Sequence, residues 1–152
     1  MKLAEALILR ADLQKQLMNL KNRINQNLLV QEGEETSENP YILYDEIFLK
    51  LNELEDLILR INKTNSDYIT SSNESISDLI VKRDMIGKKI NILKEIAEEA
   101  TVKVNRYSQT EIKIFSTMKV DEIQREINKY SKEYRELDTK LQGLNWTIDL
   151  IE

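Results

Sequence analysis

The sequence predicts a mainly α-helical protein: four long amphipathic helices arranged as antiparallel coiled-coil hairpins, with a small β-hairpin between the third and the fourth. Three observations lead there. Only 3 Gly and 1 Pro punctuate 152 residues, so regular segments have to be long. Apolar residues make up 41% of the chain and charged residues 32%, a balance that suits helices with one apolar stripe better than a globule of mixed elements. The apolar residues also recur at alternating steps of three and four in four separate segments. The expectation is a single helical domain spanning 1–152.

The first helix is expected over about 3–29, with its seam at Ala6, Leu13, Leu17, Leu20 and Ile24 and with Arg10 standing where one apolar member is missing. Residues 30–40 are acidic and contain Gly33, Thr36, Ser37, Asn39 and Pro40, so they read as a connection, and Pro40 suits an early helical position after Asn39. The second helix, about 41–62, carries Tyr44, Ile47, Leu51, Leu54, Ile58 and Ile61, and is expected to fade at the Asn62–Asn65 cluster. Ser, Thr and Asn dominate residues 64–75 and favour turns by competing for backbone groups. The third helix, about 76–100, carries Leu79, Ile86, Ile90, Leu93 and Ala97, with Arg83 in the seam.

Helical periodicity stops near Thr101. Val102, Val104, Ile112, Ile114 and Met118 fall at period two, so residues 101–118 read as a β element with its turn at Tyr107–Thr110. The fourth helix, about 121–145, is expected to start at Asp121 with Gln124 as a capping-box partner. Its seam is Ile123, Ile127, Tyr130, Tyr134, Leu137, Leu141 and Leu144.

Absences narrow the chemistry. There is no Cys and no His, which removes disulfides, thiol nucleophiles, Ser/His/Asp triads, the usual zinc sites and the Glu-x-x-His ligands of di-metal bundles. No cofactor and no metal site are expected. The stretch Met1–Asn19 is interrupted by Glu5, Arg10, Asp12 and Lys15 and is neither a secretory hydrophobic region nor a membrane span, so a cytoplasmic location is expected. A net charge of −5 argues against general nucleic-acid binding. The charge is unevenly spread: residues 1–30 carry +3 and residues 31–58 carry −8, so the first two helices suit each other electrostatically.

Several segments together carry a family resemblance. They are Met1-Lys2-Leu3-Ala4-Glu5-Ala6-Leu7, Arg10-Ala11-Asp12-Leu13-Gln14, Val30-Gln31-Glu32-Gly33-Glu34 and Arg60-Ile61-Asn62-Lys63-Thr64-Asn65, followed by Arg83-Asp84, Arg106-Tyr107-Ser108, Glu111-Ile112-Lys113 and Asn145-Trp146. Over essentially its full length the chain resembles a family of small bacterial coiled-coil proteins of unknown function, some members of which are labelled septicolysin. The resemblance implies a helical fold with a small β element and no established activity.

Two groups of residues are candidate sites. Arg10, Arg83, Asn27 and Asn65 are polar residues at seam positions; they fix register and oligomer state, form a cationic pocket for an anionic ligand, or are simply exposed. Arg106, Tyr107, Ser108, Glu111 and Lys113 gather hydrogen-bonding groups at the expected hairpin tip, as a recognition surface or as turn chemistry. The acidic series Glu32, Glu35, Glu38, Glu53 and Asp56 has spacings suited to Mg²⁺ carboxylates, but its first three members lie in the connection and read as a solvated loop. The leading function is a non-enzymatic, self-associating helical scaffold built from dimeric units. The alternatives are an enzyme handling an anionic ligand or nucleotide through carboxylates and Arg, and a cytolysin-like membrane-active protein, as the family label suggests.

Overall fold

The computed structural model describes residues 1–102 and 112–152. Among the described residues are four helices: α1 Leu3–Gln26, α2 Pro40–Asp67, α3 Ile76–Ala100 and α4 Val120–Thr147. The helical part of the expected class therefore holds among the described residues. The chain divides into two compact units, one formed by residues 1–76 with 142–152 and the other by residues 77–141.

In the first unit α1 and α2 pack side by side and antiparallel. Arg23 near the end of α1 pairs with Glu38 just before α2, while the C-terminal segment touches both the start of α1 and the end of α2. The buried α1 residues Ala6, Leu13 and Leu20 continue the expected seam. α1 stops at Gln26, before the expected Leu29, because Asn27 leaves the helix and its side-chain amide donates to the Arg23 carbonyl at 2.8 Å. The Asn39 side chain accepts the Tyr41 N–H at 2.9 Å and Pro40 is the first residue of α2, where its missing N–H costs nothing.

The buried stripe of α2 lies one residue away from part of the expected one. Leu43, Leu57, Ile61 and Thr64 are buried, whereas Tyr44 is 52% and Leu51 43% exposed. α2 also runs past Asn62–Asn65 to Asp67. Thr64 explains this: its hydroxyl donates to the Arg60 carbonyl at 2.8 Å, and it is only 1% exposed, so tertiary burial outweighs its weak helix propensity. Residues 68–75 turn tightly. Thr70 N–H donates to the Glu74 carbonyl, Asn73 N–H to the Thr70 carbonyl, and Asn73 takes φ 58, a left-handed conformation that Asn tolerates.

The C-terminal residues 148–151 form an extended strap across this unit. Leu3 N–H donates to the Ile148 carbonyl and Leu150 N–H to the Met1 carbonyl, each at 2.9 Å. Ile151 N–H donates to Thr64 Oγ1 at 3.0 Å, and Arg60 Nε returns a bond to the Ile151 carbonyl at 3.0 Å. Ile148 and Leu150 are buried, as are Leu3, Ala4 and Ala6.

In the second unit α3 and α4 run antiparallel around Ile90, Ile123 and Ile127, with Ile86, Leu93, Ile96, Tyr130 and Tyr134 packed against them. Gly87 admits the edge of the Tyr134 ring; a Cβ built there stands 3.4 Å from Tyr134 Cε2. α4 begins at Val120 without the expected capping box, since Gln124 donates instead to Asn128 at 3.1 Å and Asp121 pairs with Arg125.

The expected β-hairpin is corrected. Among the described residues there is no strand, and residues 112–118 are irregular. Ile112, Ile114 and Phe115 are 81%, 77% and 77% exposed, so the period-two pattern has no face to bury, and a ribbon without such a face is not stable in water. Residues 103–111, which include the other expected strand and the turn, lie outside the described residues.

Candidate functional site: polar seams and an uncovered apolar face

Each polar seam residue has a different setting. Asn27, 4% exposed, plugs the open end of the α1–α2 pair: its amide donates to the Arg23 carbonyl, and its carbonyl accepts Ser37 Oγ and Glu38 N–H, each at 2.9 Å. Glu38 in turn receives Arg23 Nε at 3.1 Å and a second bond from Arg23 Nη2. The bond from Arg23 holds the Glu38 carboxyl below its usual range against a smaller opposing effect of desolvation. Arg10 is partly buried and, among the described residues, its side chain makes no hydrogen bond or ion pair. It stands seventeen residues before Asn27, about 25 Å along the same helix, so the two do not share a site. Asn65 is partly buried beside Thr64.

Arg83 belongs to the second unit and bridges α3 to α4. Its Nη1 donates to Asp138 Oδ1 at 3.1 Å, while Nε and Nη2 donate to Asp84 Oδ1 at 3.0 and 2.9 Å. Partial burial pulls the guanidinium pKa down; the bonds to Asp84 and Asp138 outweigh it and the net shift is upward. Both carboxylates remain well hydrated, at 56% and 36% exposure. Of the expected hairpin-tip residues, Arg106, Tyr107, Ser108 and Glu111 lie outside the described residues, and Lys113 is exposed. The described Asp and Glu residues form no group of three or more that could hold a metal ion.

The feature that the sequence reading missed is a second apolar stripe on α2. Tyr41, Tyr44, Phe48 and Leu51 are 80%, 52%, 48% and 43% exposed, and the Tyr44 and Phe48 rings meet at a tilt of 44° with centroids 4.6 Å apart. At the open end of the pair, Ile24, Leu28, Pro40, Tyr41 and Tyr44 line a mainly apolar cavity of about 310 Å³. The signal was present in the sequence: α2 has apolar residues at Leu43, Ile47 and Leu54 and again at Tyr44, Phe48 and Leu51. A single seam needs only one of these sets.

The sequence matches the model of DUF6847, a family of unknown function, over residues 10–150. The chain belongs to DUF6847. A functionally unknown conserved protein from Corynebacterium diphtheriae, known from a crystal structure, is similar to it: 36% of residues are identical, 99% of each chain is covered and the TM-score is 0.92. No curated protein matches the sequence. Neither description mentions an activity or the septicolysin label, so DUF6847 membership brings the fold and leaves the function open. Among the described residues of this DUF6847 chain, no helix is long and apolar enough to cross a membrane.

Proposed function

We propose that the protein is a non-enzymatic helical scaffold of the cytoplasm that self-associates. One observation carries this reading. α2 buries Leu43, Leu57 and Ile61 against its own unit and yet presents Tyr41, Tyr44, Phe48 and Leu51 to solvent, a contiguous aromatic and aliphatic stripe of the kind that marks interaction surfaces. The polar seam residues support it, because Asn27 and Arg83 have their hydrogen bonds met within the chain and are spent on holding helices in register. Sedimentation equilibrium at micromolar concentration tests the proposal. A species of twice 17.9 kDa is expected, and a solution containing only the 17.9 kDa chain would overturn it. The cytolysin reading predicts leakage from liposomes at low protein concentration, and such leakage would replace the scaffold reading.

A further inference from the structure

Part of the exposed apolar surface of the first unit follows one pattern. α1 packs against α2, and the buried or half-buried apolar residues that this packing covers include Leu13, Leu17 and Leu20 along α1 and Leu43 and Ile47 along α2. In each helix a set of exposed apolar residues comes one position later: Met18 after Leu17, Tyr44 after Leu43, Phe48 after Ile47, while the exposed Ile42 and Leu49 lie on the other flank of α2. One position is a rotation of about 100°. Two antiparallel helices are related by a twofold axis normal to their common layer, so equal rotations in the same sense carry both stripes to the same face. The cavity shared by Leu28, Tyr41 and Tyr44 shows that face directly at the open end.

The geometry points to a second copy of this chain as the occupant of that face, with its α1 laid over α2. Charge selects the arrangement. A twofold axis lying in the face and perpendicular to the helices would stack the −8 segment 31–58 on its own copy. An axis parallel to the helices instead lays each acidic α2 against the α1 of the other copy, whose segment 1–30 carries +3. The exposed side chains on the two helices match this: Lys15 and Lys21 on α1, Asp45 and Glu55 on α2. The contact is isologous and closes at two chains. It joins the two aromatic ends, because an axis along the helices brings the same end of each pair together. This inference rests on the self-association proposed above and adds its face and its pairing.

Two measurements separate the pairing from the self-association itself. Phe48→Glu places a charge in the middle of the face while leaving the buried seam untouched. It is expected to raise the dimer dissociation constant at least about tenfold with the helical circular dichroism signal unchanged. The chain has no Cys, so single cysteines report proximity cleanly. Met18 and Tyr44 stand at similar heights, five residues before Arg23 and six after Glu38, the pair that joins the helices. Mixing a Met18→Cys chain with a Tyr44→Cys chain under oxidation, in an otherwise unaltered background, is expected to give a mixed disulfide dimer, while neither chain cross-links efficiently with itself. A Tyr44→Cys chain that cross-links to itself, or a dimer that forms no mixed disulfide and tolerates Phe48→Glu, would overturn the pairing and leave self-association standing. A parent chain that stays monomeric at 100 µM, a concentration on the order of a hundredfold above a micromolar dissociation constant, would overturn both.

Discussion

Replacing Asn27 with Ala should be among the most damaging polar substitutions in the chain. Its side chain makes three hydrogen bonds, and two of the groups it serves have no equivalent partner. The Arg23 carbonyl lies in the last turn of α1, where the helical donor is missing because Asn27 N–H turns to the Ile24 carbonyl instead. Glu38 N–H precedes α2 and is partly buried. Ser37 is exposed and can turn to water, so its loss adds little. Two partly buried backbone groups left unmet, at about 1 kcal/mol each, together with the space vacated by the amide, give a destabilisation of about 2–3 kcal/mol. For a chain of this size that is a fall in melting temperature of roughly 4–12 °C. Asn27→Asp keeps both accepted bonds but loses the donor and sets a carboxylate at a helix C-terminus, so it should cost less, about 1–2 kcal/mol. Urea unfolding at fixed protein concentration measures these differences, and exchange of the Glu38 amide localises them. A loss under about 0.5 kcal/mol for Asn27→Ala, or an unchanged Glu38 exchange rate, would refute the accounting.

Other expectations test the remaining contacts. Arg83→Met should cost only about 0.5–1.5 kcal/mol, because Asp84 and Asp138 stay hydrated when the guanidinium is removed; a phosphate-induced rise in melting temperature seen in the parent and lost in the variant would show an anion site instead. Gly87→Ala should stabilise the second unit by up to about 1 kcal/mol, since the new methyl meets Tyr134 at ordinary contact distance and the helix loses a glycine; a lower urea midpoint would show that the ring cannot accept it. Leu150→Ala, in the strap, should cost about 2–4 kcal/mol and speed exchange of the Leu3 amide; protection of that amide in the variant would mean that the strap is dispensable. The hydrogen bond from Lys2 holds the Asp149 carboxyl below its ordinary 3.8, so the unfolded chain takes up this proton more readily than the folded one. The resulting stability is present above 3.8 and is lost as pH falls through the depressed folded value; an Asp149→Asn chain with the same acid midpoint as the parent would contradict this.

The seams show how far periodicity carries. In α4 the expected residues Ile123, Ile127 and Leu141 are all buried, because that helix presents one unbroken apolar stripe and its rotation is unambiguous. In α2 two adjacent stripes are equally apolar, and periodicity cannot say which one faces α1. Leu43 and Leu57 won over Tyr44 and Leu51. For the candidate site the polar residues were legible as seam interruptions, but their partners were not: Arg83 bonds to its sequence neighbour Asp84 and also to Asp138 on α4, fifty-five residues away.

The sequence by itself determined the helical class, the four apolar periodicities, the Asn39–Pro40 helix start and the lack of thiol and imidazole chemistry, because these depend on residue type and spacing within one segment. Only the tertiary structure decided that Thr64 continues α2, that residues 148–151 strap the helix ends, that residues 112–118 are not strand, and that Tyr41, Tyr44, Phe48 and Leu51 remain uncovered. Each of these turns on which groups are removed from water by distant parts of the chain: a threonine is helical when its neighbours bury it, an alternating segment is a strand only when one face is covered, and an apolar stripe is core or surface according to what lies against it.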